Sequence, residues 1–419
     1  LARASAQVGL VPQAAADAIG RALADAQIDA ADLGERAADS GNPVVPLVAQ
    51  LLDIVPDSAR PWLHHGSTSQ DVFDTALMLV AAQASDAVAA HAQRAARAAA
   101  QLADLHRNTL MIARTLGQQA LPTTFGAKAS GWAAGLFSTA ATLAEVRRTR
   151  LAVQLGGAGG TLAAFGAAGL AVLTALADEL ALADPGRPWY TERSRVQELG
   201  AALAALTAAA GKVGTDIVLL AQNEVAEVRE RGGPGHGGSS ALPQKRNPVT
   251  SVLVRSAALR SPGLLATLYT AGLPEHERSF GSWHSEWQPL RELLRLAGGA
   301  TARIADVLTG LDVDAARMRS NLDAAGPAVM AESLTTRLSP TMGRRAAHQL
   351  VAAALTAATD ADGRISPVAV RAAIVDRADG TLDAADVDVA LDPEKYLGAC
   401  GQLVDRILAD GRATEGHDE

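Results

Sequence analysis

The feature that most constrains this chain is a set of long stretches with few or no helix-breaking residues. The stretch from Gln70 to about Arg107 contains neither glycine nor proline. Alanine and leucine dominate the chain, and both are strong helix formers, whereas aromatic residues make up only 3% of it. Four more stretches run over approximately 126–154, 191–231, 248–270 and 283–308, with a kink allowed at Pro262. Such helices would be roughly 40–55 Å long, so the sequence predicts an all-α fold with a close-packed bundle of long helices.

The chain divides into three regions by the length of its predicted helices. Residues 1–69 and 311–419 hold short helices separated by turn signals, and residues 70–310 hold the long ones. A length of 419 residues fits two or three domains. A coiled-coil rod is the alternative, but Gly-rich loops interrupt the helices and polar motifs stand at their ends. We therefore predict three domains, 1–69, 70–310 and 311–419, with the bundle in the middle one.

Composition excludes several classes of protein. The chain holds 37 Lys and Arg residues against 45 Asp and Glu residues, which gives a net charge of −8 and a pI near 5.6. No overall positive field would attract nucleic acid or a membrane surface, although a local group of cations would still suit a small anionic substrate. The single cysteine, Cys400, excludes an intrachain disulfide and any metal site built from several cysteines. We expect a protein of the reducing cytoplasm without a metal.

The sequence also gives no sign of insertion into a membrane or of secretion. No run of about eighteen uncharged apolar residues is present, so we expect no transmembrane helix. Residues 1–20 lack a basic start and a continuous apolar segment, and so do not form a signal peptide. Because Leu1 stands within what reads as an amphipathic helix, we expect that natural residues precede it.

A glycine-rich segment, Gly232–Pro248, carries the strongest chemical signal. Five glycines precede Ser239 and leave the backbone N–H groups approachable. Hydroxyl, cationic and amide side chains follow, a combination that suits carboxylates. Pro248 then opens a helix, whose N-terminus favours a nearby anion. A flexible surface turn is the alternative for a generic Gly-rich loop; a nucleotide P-loop is excluded because its motif is absent.

Two more polar segments precede long helices. In His64–Ala76, hydroxyl side chains stand where a loop enters the first long helix, and in Arg114–Gly126, Thr123 and Thr124 precede the second. Hydroxyls at such positions either cap the helix or bind an anion together with the exposed N–H groups. His64 and His65 either have a structural role or line a pocket.

These three segments resemble, in order, the signature regions of the fumarase/aspartase superfamily. Gly238–Pro248, which reads GSSALPQKRNP, is similar to that superfamily's GSSxMPxKxNP loop, with Leu242 in the usual place of methionine. The resemblance implies a three-domain all-α fold whose central bundle builds a homotetramer. It also implies active sites that take the three regions from three different subunits, a small polycarboxylate substrate and no cofactor.

One departure from the signature indicates the kind of chemistry. Most lyases of the superfamily carry histidine directly after Arg-Thr in the second region, where this chain has Leu116. Leucine transfers no proton, so a leaving group that must be protonated lacks its acid there. A cycloisomerase needs none, because the substrate's own ionised carboxylate attacks a tethered double bond. The segments 41–48, 274–287, 317–322 and 393–398 also resemble the bacterial carboxymuconate cycloisomerases.

The resemblance assigns roles to individual residues. Ser239 is the predicted proton-transfer residue, with Ser240 as the second choice, and Lys245 and Asn247 stabilise the enolate-like intermediate. The substrate's remaining carboxylates would be bound by residues of the other two segments: His65, Thr68, Ser69, Gln70, Arg114, Gln119, Thr123 and Thr124. Three alternatives stay open: a lyase with a different acid, a cycloisomerase of a related muconate such as a sulfonated one, and an inactive structural relative like the lens crystallins.

Overall fold

The computed structural model describes residues 1–233 and 235–415. Helices dominate these residues, as the sequence predicts. They are α1 (Ala2–Gln7), α2 (Gln13–Ala24), α3 (Ala30–Ser40), α4 (Val44–Ile54), α5 (Ser69–Leu105), α6 (Phe125–Arg150), α7 (Gly169–Leu180), α8 (Ser194–Leu220), α9 (Val249–Ala271), α10 (Ser282–Thr309), α11 (Ala315–Ala324), α12 (Ala331–Met342), α13 (Arg344–Ala357), α14 (Pro367–Arg377), α15 (Ala384–Leu391) and α16 (Cys400–Glu415). Short 3-10 helices lie at Arg60–Trp62, Ala163–Ala168, Pro327–Met330 and Pro393–Lys395.

The five long helices confirm the five long stretches predicted from the sequence. They are α5, α6, α8, α9 and α10. Helix α8 stops at Leu220, short of the predicted end, because residues 221–225 form turns. Helix α9 continues through Pro262, and α10 includes Pro289 in its early turns.

Four short strands add to the helices. Strands β1 (Leu110–Thr115) and β2 (Gln118–Thr124) pair as an antiparallel hairpin, and β3 (Val228–Arg229) pairs with β4 (Asp312–Val313). The sequence predicted an all-α fold and did not predict the hairpin. The reason lies in β1, whose first three residues are all buried instead of alternating between two faces.

The chain forms two compact units, and every boundary between them falls inside one of the five long helices. The first unit comprises Leu1–His91, Thr139–Ala208 and Ala257–Ala300. One of its cores, near the N-terminus, is built from α1, α2 and the end of α4, with Val11, Ile19 and Val55 buried. Close helix packing in this unit depends on Gly200, where a Cβ would stand 2.5 Å from Leu268 Cδ1.

The second unit comprises Ala92–Ser138, Ala209–Ser256 and Thr301–Glu419. Helices α12–α15 enclose one core, with Leu334, Val351 and Ile374 fully or almost fully buried. A second core links β1 to α11 through Leu110, Ile112 and Leu322. The division into domains 1–69, 70–310 and 311–419 stays a prediction.

Three helical segments of the described residues are long and apolar enough to cross a membrane by length and composition. They are Ser69–Leu105, Ala163–Leu180 and Ser194–Leu220. Alanine contributes much of this hydropathy, and α5 carries Asp71 and Asp74, which are buried in the protein. The expectation that the chain does not act at a membrane stays a prediction.

Candidate active site

The second signature segment forms the hairpin of β1 and β2. Leu116 and Gly117 make its two-residue turn, with φ values of 51° and 79°. Positive φ at both positions is typical of the tight turn that matches the twist of two antiparallel strands. Leu116 is fully exposed at the tip. At the position where related lyases carry histidine, this chain therefore has an apolar side chain that is exposed on a turn.

Arg114 is held at the base of this turn by a buried carboxylate. Its guanidinium donates two hydrogen bonds to Glu227, of 2.9 and 2.7 Å, and the Glu227 side chain is 0% exposed. Asn321 Nδ2 donates to the same carboxylate at 2.8 Å. Because Glu227 neutralises its charge, Arg114 is committed to fixing the hairpin and offers little free charge to a substrate.

The other predicted residues of the hairpin differ in exposure. Thr124 Oγ1 accepts the backbone N–H of Ala127 at 3.1 Å and so caps α6, as the sequence suggested. Thr123 Oγ1 lies 3.8 Å from Cys400 Sγ. Gln119 is exposed on β2. Of these three residues, Thr124 therefore has a structural role as a helix cap, while Gln119 is exposed and able to contact a ligand.

The Gly-rich segment places Ser239 in a tight turn. Ser239 Oγ accepts the backbone N–H groups of Ala241 and Leu242, at 3.3 and 3.1 Å. Two N–H donors on one hydroxyl oxygen would stabilise the alkoxide that remains after the hydroxyl gives up its proton. Ser240 and Lys245 are exposed. The geometry around Ser239 therefore favours it over Ser240 as a proton-transfer group.

Asn247 closes the base of the same loop. Its backbone N–H and its Nδ2 both donate to the carbonyl oxygen of Gly237, at 2.8 and 3.0 Å. Gly237 has a φ of +67°, and a Cβ there would stand 2.3 Å from Asn247 O, so only glycine fits. The loop borders a cleft of about 1190 Å³, which Lys245, Arg246 and Arg229 also line. Cations thus face this open space together with the acidic residues Asp312 and Asp314.

The first signature segment lies in the first unit and leads into α5. His64 has a left-handed backbone, with φ of 56°, and its Nδ1 lies 2.8 Å from Ser67 Oγ. Burial lowers the pKa of His64. His65 packs between Trp62 and Phe165, with ring centroids 5.5 and 6.2 Å away. His64 therefore contacts Ser67 within its own loop and His65 packs against aromatic rings, and a pocket-lining role for His65 stays a prediction.

Asp71 anchors this segment from inside. Its carboxylate accepts the backbone N–H groups of Thr68, Gly156 and Gly157, at 2.9 to 3.0 Å, and the hydroxyl of Tyr190. Burial raises the pKa of Asp71 to about 6, although these hydrogen bonds act to lower it. The same burial, with the charge of Asp71, raises the pKa of Tyr190. Asp71 therefore ties the start of α5 to the turn at 156–157.

Arg278 is a functional candidate that the sequence analysis missed. Its guanidinium donates to Thr68 Oγ1 at 2.9 Å and to the carbonyl oxygens of Gly157 and Ala158, at 3.3 and 3.2 Å. It also stacks over the Tyr190 ring, 4.8 Å from the centroid. This cation stands directly beside a predicted carboxylate-binding hydroxyl. In the sequence, the only local signal for Arg278 is its position within the segment 274–287, whose resemblance to the cycloisomerases assigned no role to this arginine.

Gln70 is buried in a network of ions. Its Nε2 donates to Asp74 Oδ2 and to the Tyr190 carbonyl, at 3.2 and 3.1 Å, and the residue is only 1% exposed. Arg193 joins Asp74 to Glu286 through hydrogen bonds, and all three are buried. Burial raises the pKa of Glu286, while the two carboxylates raise the pKa of Arg193. A direct contact of Gln70 with substrate stays a prediction, as it does for Ser69, the first residue of α5.

The predicted residues thus fall into two groups. The segments around Arg114 and Ser239 belong to the second unit, and the segment from His64 to Gln70 belongs to the first. Within the described residues, no group of three or more His, Cys, Asp or Glu side chains has an arrangement that would hold a metal ion.

Comparison with known proteins defines the class. A protein family described as Lyase matches residues 1–263, more than half of the chain. The chain therefore belongs to this lyase family, within the fumarase/aspartase superfamily, as its three signature segments indicate.

Individual relatives are similar over almost the whole chain. The chain is 44% identical to the 3-carboxy-cis,cis-muconate cycloisomerase of Bradyrhizobium diazoefficiens, covering 97% of this chain and 90% of the relative. It is 43% identical to the nitrosuccinate lyase of Streptomyces davaonensis, and the match covers 97% of this chain and 88% of that relative. Among solved structures, the 3-carboxy-cis,cis-muconate lactonizing enzyme of Pseudomonas putida superposes with a TM-score of 0.87 at 38% identity. The superposition covers 98% of this chain and 92% of that enzyme's chain.

Proposed function

We propose that this protein is a cycloisomerase that converts 3-carboxy-cis,cis-muconate to 4-carboxymuconolactone, a step of protocatechuate breakdown. The observation that carries the proposal is the 44% identity, over 97% of the chain, to a cycloisomerase of that substrate. The chemistry of the signature segments supports it independently.

The reaction is an isomerisation of the free acid; starting from the ionised carboxylates, it takes up one proton from solvent, and no other atom enters or leaves. One substrate carboxylate forms a C–O bond to a carbon of a conjugated double bond. The displaced π electrons move onto the oxygen of another carboxylate and give an enolate-like intermediate with additional negative charge. A proton then adds to the neighbouring carbon. Donors that are already in place stabilise such an intermediate more than the substrate, and so accelerate the reaction.

Ser239 suits the proton transfer because two backbone N–H groups already point at its oxygen. A serine hydroxyl is a weak acid unless its surroundings stabilise the alkoxide. Lys245, which lines the cleft beside this loop, would add a positive charge for the intermediate, and Asn247 holds the loop in register through Gly237. In the first segment, Thr68 with Arg278 would bind a substrate carboxylate.

Leu116 is consistent with a reaction that needs no protein acid at this turn. A carboxylate nucleophile is ionised at neutral pH, so no base has to activate it, and the carbon–oxygen bond forms within one molecule. A leaving nitrogen would require an acid near this turn. An apolar residue at the tip of the hairpin is therefore compatible with cyclisation and not with that kind of elimination.

The proposed enzyme is a homotetramer whose active sites combine the three segments from different chains, and it acts in the cytoplasm. Apolar side chains exposed on α9, such as Leu253, Leu259 and Tyr269, support association. Burying them between subunits would be favourable at roughly 25 cal/mol per Å² of apolar surface.

A direct assay tests the proposal. The purified chain is mixed with 3-carboxy-cis,cis-muconate, and the loss of the conjugated diene is followed by ultraviolet absorbance. Unsubstituted cis,cis-muconate, which lacks one carboxylate, is the matched control. Turnover of the carboxylated substrate alone is expected, and no turnover of it would overturn the proposal.

A lyase activity on nitrosuccinate is the second candidate, since a lyase of that name is 43% identical to this chain. Leu116 does not exclude it, because a leaving group that departs as a weakly basic anion needs no acid. Nitrosuccinate is therefore tested in parallel, with the new double bond as the signal. Elimination from nitrosuccinate without cyclisation of the muconate would favour this candidate.

A further inference from the structure

The residue Glu230 joins the Gly-rich loop to the helix that follows it. Its side chain is 2% exposed. Its Oε1 accepts the backbone N–H of Ser251 at 2.7 Å, and its Oε2 accepts that of Thr250 at 3.2 Å. Both N–H groups belong to the first turn of α9, where a carboxylate is stabilised by the free donors and by the helix dipole. Glu230 is therefore a fixed acceptor at the start of this helix.

His236 is bound to this fixed acceptor from inside the loop. Its Nε2 lies 3.3 Å from Glu230 Oε2 and 3.5 Å from Thr250 Oγ1, and its side chain is 30% exposed. The ring also packs against Gly232, where a Cβ would stand only 2.1 Å from His236 Cγ. Any larger residue at position 232 would displace the ring.

His236 stands three residues before Ser239, and the residues between them are both glycines. Gly237 is held by the two hydrogen bonds from Asn247, and Gly238 forms an antiparallel bridge with Arg246. Glycines impose little conformation of their own. The position of Ser239 is therefore set by the anchors on either side of these glycines, and His236 is the side-chain anchor that precedes them.

We propose that His236 is a positioning residue for Ser239, which it holds in place through its hydrogen bond to the buried Glu230. The proposal rests on the proposed function, because Ser239 is there the proton-transfer group. His236 also lines the cleft beside the loop, but in this role it acts through Ser239 and does not itself transfer a proton. Its effect comes from geometry: a displacement of about 1 Å in a reacting group is enough to lower turnover about 100-fold.

Two variants of the same residue separate the hydrogen bond from the bulk of the side chain. His236→Gln keeps an N–H donor at a reach close to that of Nε2, whereas His236→Met keeps the bulk and loses the donor. His348→Met is the matched control, because His348 is an exposed histidine on α13. Thermal midpoints of all variants report whether the chain still folds.

The first readout is independent of any substrate. Hydrogen exchange is measured on peptides covering residues 237–248, which include the Asn247 amide bonded to Gly237. We expect His236→Met to accelerate exchange there at least 5-fold, and His236→Gln and His348→Met to change it less than 2-fold. Unchanged exchange in His236→Met would overturn the proposal, whichever substrate the enzyme uses.

The second readout is the division of the kinetic effect. With 3-carboxy-cis,cis-muconate, kcat of His236→Met should fall 10- to 100-fold while KM changes less than 3-fold, and His236→Gln should keep at least one third of wild-type kcat. Faster exchange with normal kcat would overturn the role in positioning. Failure of the wild-type chain to turn over the muconate is a separate result, which refutes the proposed function and leaves the exchange test of the anchor valid.

Discussion

Replacing Leu116 by asparagine should stabilise the protein and leave the chemical step intact. Leu116 occupies the left-handed region, with φ of 51°, in the turn between β1 and β2. An ordinary L-residue in that region costs roughly 1–2 kcal/mol, whereas asparagine adopts it more readily. The leucine is fully exposed, so removal of its side chain sacrifices no packing within the chain.

The expected gain is therefore about 0.5–1 kcal/mol, which is the part of the backbone cost that asparagine relieves. Because the unfolding entropy of a 419-residue chain is large, this gain should raise the thermal midpoint by only about 0.5–1 °C. Leu116→Ala is the control, since alanine removes the side chain and keeps the backbone cost; its midpoint should match the wild type.

Activity separates the role of the turn from the role of the side chain. Under the proposed cyclisation no proton passes through position 116, so kcat of Leu116→Asn should stay within 3-fold of wild type, while KM reports any contact of the leucine with substrate. The measurements are differential scanning fluorimetry and the ultraviolet assay. A lower midpoint for both Leu116→Asn and Leu116→Ala would refute the reasoning, because it would show that the leucine side chain is packed and not free.

Three further predictions concern the other segments. Ser239→Ala should lower kcat by about 10²–10⁴-fold with little change in KM, as expected for the loss of a proton-transfer group, whereas Ser240→Ala should stay within 10-fold; the reverse result in the ultraviolet assay would move the role to Ser240. Mixing inactive Ser239→Ala chains with inactive Thr123→Val chains should recover part of the activity, because some shared sites would draw all segments from intact copies; no recovery after subunit exchange would contradict shared sites. Burial raises the pKa of Asp71 to about 6 from an ordinary value of 3.8, so its folded form binds the proton more tightly than the unfolded form; this contribution to stability is present below about pH 4 and is lost as the pH rises through 6. The stability of wild type relative to Asp71→Asn, from thermal midpoints, should therefore fall between pH 4 and 7, and a difference that rises with pH would contradict the raised pKa.

Much of the fold could be predicted because helix formation is local. The absence of glycine and proline between Gln70 and Arg107 was enough to predict α5, and the threonines after Pro122 correctly indicated the cap of α6. The hairpin was missed because β1 is buried without alternation, and because Leu-Gly is a weaker turn signal than Asn-Gly.

The candidate site was predictable only where its residues are close in sequence. Arg278 reaches Thr68 across 210 positions, and Tyr190 reaches Asp71 across 119. No local pattern encodes such contacts, since they depend on how distant helices pack. His236 shows the same limit at short range: its partner Glu230 is only six positions away, yet the bond forms because both meet the start of α9.

The three signature segments are each anchored by one buried protein carboxylate. Glu227 holds Arg114 in the hairpin, Asp71 holds the loop before α5, and Glu230 holds the base of the Ser239 loop. A site for a polyanion would be expected to avoid acidic groups, because like charges repel. Here each carboxylate accepts hydrogen bonds from N–H groups or from a guanidinium, so its negative charge is balanced by donors inside the protein. The donors that remain uncommitted, such as Lys245 and the exposed loop amides, are those that a polycarboxylate would meet. Neutralising any one anchor should therefore harm the placement of a segment more than the net charge of the site, and its cost should appear in kcat before it appears in substrate affinity.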